Sequence, residues 1–483
     1  MYGFALIGHV LGVLLMAFSC FVSVPLGLSL YFNDGEHQAF WRSFLTIFGL
    51  GVAFYLATYS LKRKFVMRTK YAFLGTFLAW VALSLAGSLP FMFMTSPLAW
   101  FDAIFESASG LTTTGATILT RIETLPPSVL LYRQLLQWLG GMGIIVLAVA
   151  ILPYLGVGGM QLYRSETVGP TSSKFTPSIA QTAKSLWGIY FALTVLCALA
   201  YWGAGMKPFD ALAHSLSTVS IGGFSTYDNS FAQFMGSPWV YGVGMVFMLV
   251  AAMNFNLHFL VLRRGVLGAY FKDSEFLFFM LFILVAVVGL NFAFWLTSAY
   301  QGQDAWHRGA FQVISVATTT GFTDQTLNMF LPGVAFILFS LAFVGGCAGS
   351  TGGGMKAIRV LLLIKQGHRE LKKLLHPQGV FRLRLGHAPV SERVAESVWG
   401  FVAIYLLVFM TLVAVMLLLG GDMETAWSAV GACLNNLGPG MGDVALHYGN
   451  LDIAEKLVLV LTMIMGRLEI FTVLVLFLPQ TWR

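Results

Sequence analysis

A short polar motif containing glycine occurs four times in this chain, each time between long apolar segments. The first copy reads S-A-S-G-L-T-T-T-G-A-T at Ser107–Thr117, and the later copies read V-S-I-G-G-F-S, T-T-T-G-F-T and N-N-L-G-P-G. The glycines that anchor the four copies are Gly115, Gly222, Gly321 and Gly438, which are spaced nearly evenly along the chain. A regular internal period indicates a repeated architecture. The four loops are therefore predicted to form four walls of one pore.

The composition places the chain among polytopic membrane proteins. Of its 483 residues, 57% are hydrophobic and 10% are charged, whereas a soluble domain averages about 25% charged residues. The four cysteines have no C-x-x-C spacing and are interpreted as small buried hydrophobes rather than as a disulfide or metal framework. They are Cys20, Cys197, Cys347 and Cys433. No nucleophile–base–carboxylate set and no cofactor motif is visible, so neither an enzyme nor a bound cofactor is predicted.

Ten apolar segments reach the length of about 20 residues that a membrane-spanning helix needs. The first continues past signal-peptide length and lacks a basic start, so it is interpreted as a retained span. The predicted fold class is an all-α polytopic membrane protein. The segments lie near residues 3–32, 40–61, 71–94, 133–158, 181–204, 237–262, 275–298, 329–363, 396–420 and 455–479.

The basic residues predict the orientation of the chain. Most of the 28 lysines and arginines fall on alternate loops, including Lys62–Lys70 and Lys356–Arg393. The positive-inside rule then puts both termini in the cytoplasm. Acidic residues favour the opposite loops, where a negative mouth would concentrate cations, although ordinary loop solubility is an alternative reading. No basic stripe with interleaved aromatics indicates a nucleic-acid partner.

After the first two spans, the order span, short helix, polar loop, span recurs four times. The predicted units are an N-terminal pair of helices at 1–65 and four repeats at 66–165, 166–265, 266–375 and 376–483. The first two short helices share the lead-ins F-D-A-I and F-D-A-L, in which Asp102 and Asp210 are plausible N-caps. The other two lead-ins differ, so the repeat is divergent.

The polar loops have the residue types that a cation pathway needs. Non-helical backbone at membrane depth is tolerated where it is buried or lines a watery cavity, and there its carbonyl oxygens can replace the hydration shell of an ion. Glycine permits positive φ and close approach, and the C-terminal end of each short helix is partly negative. A single T-T-T-G is more simply a helix end. Four copies at matching positions favour the pore.

Two further features lie inside predicted spans. Six glycines between Gly345 and Gly354 interrupt one span, which predicts either an unwound loop beneath the filter or close packing of small residues. The segment lacks the order of a phosphate-binding loop. Arg467 lies within another span, where a charge must face protein or water. It is predicted to face the pore as a barrier, and an ion pair with another helix is the alternative.

These motifs together resemble the Trk/Ktr/HKT superfamily of potassium transporters. The resemblance rests on the four loops, on G-G-C-A-G-S-T-G-G-G at Gly345–Gly354 and on G-R-L-E-I-F at Gly466–Phe471. The two additional N-terminal spans and S-E-T-V-G-P at Ser165–Pro170 make it most similar to the bacterial TrkH/TrkG branch. The family fold implies four membrane–pore helix–membrane repeats around one pseudo-fourfold pore.

The resemblance also implies residue roles, with K⁺ as the transported ion. Gly115, where some relatives that favour sodium have serine, argues for potassium. The filter residues implied are Thr112, Thr113, Thr114 and Gly115; Val219, Ser220, Ile221 and Gly222; Thr318, Thr319, Thr320 and Gly321; and Asn435, Asn436, Leu437 and Gly438. The implied gating loop comprises Gly345, Gly346, Gly349, Ser350, Thr351, Gly352, Gly353 and Gly354. Arg467 matches an arginine to which the family assigns a barrier role.

The same resemblance implies a setting and partners. It predicts a multi-pass protein of the bacterial inner membrane, in contact with membrane lipid, that forms a homodimer. It also predicts a cytosolic nucleotide-binding regulatory subunit of the TrkA type, responsive to NAD or ATP, because this chain has no nucleotide motif. The polar stretch Gln366–Glu392 is the predicted docking or lipid-facing segment.

A secondary symporter of an organic solute, built from inverted repeats and broken helices, is the alternative from another functional class. The direction of the repeats discriminates between the two. All four loops follow a span of the same predicted direction, so the repeats are parallel, and this weighs against the symporter.

Overall fold

Long apolar helices form the frame of the molecule. The computed structural model describes residues 2–59, 69–155, 179–300, 302, 304–386 and 388–482. Its α-helices are Tyr2–Phe32, His37–Tyr59, Thr69–Phe93, Trp100–Leu111, Pro127–Leu155, Ile179–Gly203, Pro208–Ser220, Pro238–Ala252, Phe255–Arg264, Gly268–Lys272, Ser274–Leu296, Ala305–Ala317, Pro332–Ser340, Ala357–Leu375, Glu392–Leu418, Met423–Leu434, Ile453–Arg467, Ile470–Leu474 and Pro479–Trp482. One two-stranded antiparallel hairpin pairs Arg384–Leu385 with Ala388–Pro389.

The membrane-spanning character predicted from composition is confirmed. Within the described residues, six helices are long and apolar enough to cross a membrane, and two bent helix pairs bring the total to eight. The predicted span 133–158 falls on the helix Pro127–Leu155, and the predicted span 329–363 begins with the helix Pro332–Ser340 and is then interrupted. The motif Ser165–Pro170 and the basic residues Lys62–Arg68 lie outside the described residues.

Two predicted spans are not continuous helices. The segment 237–262 divides into Pro238–Ala252 and Phe255–Arg264, which meet at 93°. The segment 455–479 divides after Arg467, and the helical parts on either side of the break are bent by 113°. Glu469, at the second break, has a φ of 57°, a left-handed conformation that ends a helix. Hydropathy alone did not reveal either bend.

Each repeat contains one short, deeply buried helix between two other helices. These four helices are called short helices 1 to 4, and they are Trp100–Leu111, Pro208–Ser220, Ala305–Ala317 and Met423–Leu434. In every one the C-terminal half is buried, including its serines and threonines. Polar residues buried at this depth require partners within the protein. The site described below supplies them.

The prediction that Asp102 and Asp210 are N-caps is wrong. Short helices 1 and 2 begin after Ala99 and Lys207, and both aspartates lie within the first turn. Asp102 instead accepts a 2.7 Å ion pair from Lys456. An acidic residue in the first turn still interacts favourably with the helix dipole. The sequences F-D-A-I and F-D-A-L therefore predicted the position of the first helical turn correctly, but not which residue is the N-cap.

Glycines allow the longer helices to approach the ends of the short ones. A side chain at Gly140 would collide with the carbonyl oxygen of Leu111, at the end of short helix 1. A side chain at Gly466 would collide with the carbonyl oxygen of Leu434, at the end of short helix 4. Small residues at helix interfaces permit this closeness in membrane proteins. The C-terminal ends of the short helices are thereby fixed in the middle of the helix bundle.

Candidate functional site

All four short helices end in the same hydrogen-bonded turn. In each, one N–H bonds to the carbonyl five residues earlier and the preceding N–H bonds to the carbonyl three residues earlier, which is the Schellman pattern. The bonds that span five residues measure 2.8–2.9 Å. They join Thr114 to Ser109, Gly222 to Ser217, Thr320 to Ser315, and Leu437 to Ala432. The residue just before each of these donors has a positive φ: Thr113, Ile221, Thr319 and Asn436.

This shared turn corrects the register of the second loop. A second residue with positive φ follows two positions after Thr113, Ile221, Thr319 and Asn436, and in every loop it is a glycine. These glycines are Gly115, Gly223, Gly321 and Gly438, with φ between 80° and 98°. The second anchoring glycine is therefore Gly223, one residue later than predicted, and Gly222 corresponds to Thr114. Val219 still belongs to short helix 2. The sequence V-S-I-G-G has two adjacent glycines, and spacing alone could not decide which one takes the positive φ.

Three of the residues in the turn are strained. Thr113, Ile221 and Thr319 are β-branched, yet each has a φ between 56° and 65°. A β-branched residue there is an outlier that costs on the order of 1–3 kcal/mol and persists only where its surroundings enforce it. All three side chains are almost completely buried. Strain of this kind clusters at functional sites, and here it recurs in three loops.

The four loops close into a ring through contacts between glycine and carbonyl groups. A Cβ atom at each of the four positive-φ glycines would approach a carbonyl oxygen of another loop closer than 3.0 Å. The pairs are Gly115 with Gly222, Gly223 with Thr320, Gly321 with Leu437, and Gly438 with Thr114. Each loop contacts the next and the fourth contacts the first, so the loops surround a single axis. Only glycine fits at these positions.

The threonine hydroxyls brace the loops. The hydroxyls of Thr112 and Thr114 lie 2.7 Å apart in loop 1, and those of Thr318 and Thr320 lie 2.8 Å apart in loop 3. Asn436 of loop 4 donates to the Thr114 hydroxyl over 3.0 Å. These bonds occupy the side chains, which leaves the backbone as the surface of the ring.

Loop 2 lacks threonines and is held by a glutamine that sequence reasoning missed. The Gln137 Nε2 donates to the Gly222 carbonyl over 2.6 Å, and its Oε1 accepts from the Phe224 N–H over 3.2 Å. The Ser217 hydroxyl also donates to this amide oxygen, over 2.8 Å. The available signal was a group of polar side chains within a predicted span, Arg133, Gln134 and Gln137.

A buried ion pair, also missed, joins loops 1 and 2. The Arg133 Nε lies 2.8 Å from Glu106, and the two side chains are 1% and 0% exposed. Glu106 also accepts from the Ile118 N–H over 3.0 Å, and Arg133 donates to the Ser225 carbonyl over 3.1 Å. Arg133 is the first residue of the predicted span 133–158, and in the structure it lies within the helix that begins at Pro127.

The segment that follows each loop is hydrogen-bonded to a polar side chain of the preceding short helix. Glu106 does this in repeat 1, and Gln312 accepts the Asp324 N–H over 2.9 Å in repeat 3. In repeat 4, Ser428 accepts the Met441 N–H over 2.8 Å. In repeat 2, His214 Nε2 lies 3.0 Å from the Ser225 hydroxyl. The bracing residue lies nine positions before the positive-φ glycine in repeats 1 to 3 and ten before it in repeat 4, and its chemistry differs in every repeat.

Near the mouth of loop 2, Asp210 accepts hydrogen bonds from the hydroxyls of Thr226 and Tyr227 at 2.9 and 2.8 Å. Burial and the adjacent Asp210 carboxylate raise the pKa of Tyr227 to about 12. The Tyr227 hydroxyl therefore stays protonated and remains a hydrogen-bond donor throughout the neutral range.

The glycine-rich segment Gly345–Gly354 is non-helical and lies against three of the four loops. The Thr351 hydroxyl donates to the Val219 carbonyl over 3.1 Å. The Gly353 N–H donates to the Thr319 hydroxyl over 2.8 Å, and the Gly354 N–H donates to the Asn435 carbonyl over 3.2 Å. A helix with closely packed glycines, the alternative interpretation, is not present. The segment is called the intramembrane loop below.

Arg467 connects the intramembrane loop to repeat 1. Its Nη1 donates to the Thr351 carbonyl over 2.9 Å, and its Nη2 donates to the carbonyls of Gly140 and Gly141 over 2.8 and 3.2 Å. The side chain is 5% exposed. Within the described part of the chain its hydrogen-bond partners are carbonyls, while Glu469 pairs with Arg359 at 2.6 Å. The alternative that Arg467 belongs to a structural ion pair is therefore not supported.

Comparisons with known proteins agree with this geometry. The family TrkH, described as cation transport protein, matches residues 36–482. The chain is 49% identical to the Trk system potassium uptake protein TrkH of Halomonas elongata, with 98% of each chain covered. It is 46% identical to the protein of the same name from Escherichia coli K12, with 99% of each covered.

A solved structure is similar over the whole chain. The crystal structure of the potassium transporter TrkH from Vibrio parahaemolyticus superimposes with a TM-score of 0.90 at 43% identity, covering 99% of this chain and 100% of that one. The similarity therefore includes all four loops and the segments that brace them.

Replacement of Glu106 by alanine tests the buried ion pair. The change leaves the Arg133 guanidinium buried without its partner, so we expect a loss of about 3–5 kcal/mol in stability, measured by thermal unfolding of the purified protein in detergent. Lys373→Ala, which breaks an exposed pair with Glu370, is the control and should change the midpoint little. Equal midpoints for the two variants would contradict a structural role for the Glu106–Arg133 pair.

Proposed function

Because the chain belongs to the TrkH family of cation transport proteins, we propose that it is the potassium-selective, ion-translocating subunit of a bacterial potassium uptake system. The observation that carries this proposal is the closed ring in which each positive-φ glycine faces a carbonyl of another loop. A single ring made by four parallel repeats suits an ion filter. It does not suit an organic solute site between inverted halves.

In this proposal the backbone of the ring coordinates the ion. The carbonyl oxygens of Thr112–Gly115, Ser220–Gly223, Thr318–Gly321 and Asn435–Gly438 replace the hydration shell of K⁺ or Rb⁺. Because the side-chain hydroxyls and amides brace the loops, the ring keeps its diameter when an ion leaves. The C-terminal ends of the four short helices add partial negative charge from four directions.

The intramembrane loop is proposed as the gate. It contacts loops 2, 3 and 4 through Thr351, Gly353 and Gly354, so it lies across the path that an ion leaving the ring would take. Its glycines at 345, 349 and 354 have positive φ, and such a backbone rearranges without side-chain repacking. Displacing this segment would open the route, while the ring itself would stay intact.

Arg467 is proposed as the electrostatic barrier beside the gate. Its charge is solvated by three carbonyls and is not neutralised by a carboxylate within the described residues. A fixed positive charge at that depth repels a permeating cation. The same side chain also holds the intramembrane loop through its hydrogen bond to the Thr351 carbonyl. The repulsion of the cation and this hydrogen bond would together stabilise the closed state.

The cellular setting is proposed from the family and the charge distribution. The protein would lie in the bacterial inner membrane with both termini in the cytoplasm and take up potassium from the acidic, outer mouth. It would function as a homodimer with a cytosolic nucleotide-binding regulatory subunit of the TrkA type. The polar segment from Gln366 to Glu392 begins within the helix Ala357–Leu375, which follows the intramembrane loop, and this position suits a partner that acts on the gate.

Ion flux into liposomes containing the purified protein tests this function. Under gradients of potassium, rubidium, caesium and sodium in turn, we expect potassium and rubidium flux well above sodium flux, without an organic solute. Flux that requires an organic substrate would support the symporter instead. If flux appears only after a cytosolic regulatory protein is added, the filter stands and the resting state is closed.

Gly115→Ser tests the filter. The serine side chain would collide with the Gly222 carbonyl, and the positive φ at this position disfavours any side chain, so we expect a lower ratio of potassium to sodium flux. Gly188→Ser is the matched control, because Gly188 has open space around it. An unchanged ratio in Gly115→Ser, in monodisperse protein, would remove this glycine from the filter.

Arg467→Gln tests the barrier. Glutamine keeps polarity and much of the volume but removes the charge, so we expect higher potassium flux or leak in liposomes. Arg467→Lys retains the charge and should stay nearer to wild type. Equal or lower flux for Arg467→Gln, in protein that remains monodisperse, would contradict the barrier role.

A further inference from the structure

A buried carboxylate lies behind the intramembrane loop, on the side away from the ring. Glu275 is in the first turn of the helix Ser274–Leu296 and is 7% exposed. It does not cap its own helix, because Asp273 does so by accepting the Phe276 N–H over 2.8 Å. A carboxylate buried in a membrane protein needs a hydrogen-bond partner within the protein.

Glu275 binds the intramembrane loop at Ala348. Its Oε1 accepts the Ala348 N–H over 2.6 Å, and this bond is buried. The carboxylate therefore holds the backbone of the loop from a different helix.

The part of the loop that contacts the ring begins three residues after Ala348. Thr351, Gly353 and Gly354 make these contacts. Main-chain bonds also hold this region: the Cys347 N–H donates to Ala252 over 2.8 Å, the Phe255 N–H donates to Gly349 over 3.1 Å, and the Ala357 N–H donates to Gly346 over 2.9 Å. Glu275 adds a side-chain bond from a different helix.

We propose that Glu275 is a positioning residue of the intramembrane loop: its carboxylate holds the Ala348 N–H and so keeps the adjoining part of the loop against the ring. The inference rests on the proposed function, in which this loop is the gate. Removing the carboxylate loosens the loop at Ala348. The closed state then loses stability while the ring, which Glu275 does not touch, keeps its selectivity.

Glu275→Gln and Glu275→Ala in the full chain test this role in proteoliposomes. Glutamine keeps the shape and one acceptor oxygen, and alanine removes both. We expect potassium flux without a regulatory partner to rise roughly tenfold or more in the alanine variant, as for the loss of one hydrogen bond to a charged group, and less in the glutamine variant. The ratio of potassium to sodium flux should not change.

A matched control is available in Glu36→Gln. Glu36 is also a buried carboxylate that accepts a backbone N–H, from Thr95 at 3.1 and 3.2 Å, but it lies in the N-terminal helix pair. It should leave flux and gating at the wild-type level. An increase of the same size in Glu36→Gln would mean that the effect reflects general loosening, and it would overturn the proposal.

The native thiol of Cys347 gives a readout that does not depend on transport. Cys347 is 1% exposed and adjacent to Ala348. Cys20 is the exposed cysteine, so the experiment uses a Cys20→Ser background, in which labelling at the surface does not obscure the labelling of Cys347. We expect a thiol reagent to modify Cys347 faster in both Glu275 variants than in wild type or Glu36→Gln. Unchanged protection together with unchanged flux would overturn the role of Glu275. Faster labelling in a protein that carries no potassium at all would refute the proposed function and leave the positioning role standing.

Discussion

The contact between a glycine α-carbon and a carbonyl oxygen of another loop is the constraint on which the rest of the structure depends. Each of the four contacts leaves no room for a Cβ atom, so each needs a glycine with positive φ. The preceding turn supplies the approach, and it keeps a β-branched residue in a left-handed conformation in three loops. The bracing groups behind the ring, from Glu106 to Ser428, follow from the need to hold this backbone in place.

The sequence predicted the architecture well because it repeats four times. Apolar length indicated the spans, and the copies of the glycine motif indicated the short helices and their common axis. The interruption at Gly345–Gly354 was also predicted, since glycines inside an apolar segment disfavour a helix. These features depend on local composition, which can be read one segment at a time.

What the sequence did not predict depends on contacts between distant segments. The register of loop 2 depends on which of two adjacent glycines faces Thr320, and this is decided by a loop almost a hundred positions away. Arg133 and Gln137 were polar residues of an apolar segment with no visible role until their partners in loops 1 and 2 were known. Both bent spans contact the intramembrane loop, through the Phe255 N–H bond to the Gly349 carbonyl and the Arg467 bond to the Thr351 carbonyl.

The different braces behind the four loops have a consequence for symmetry. A ring assembled from four identical subunits would have to place the same residue behind every loop, and a glutamine such as Gln137 would appear four times or not at all. In a single chain each loop has its own support, with an ion pair at one corner, an imidazole at the next, then an amide and a hydroxyl. The backbone keeps an approximate fourfold axis, while every corner is free to diverge in stiffness and charge.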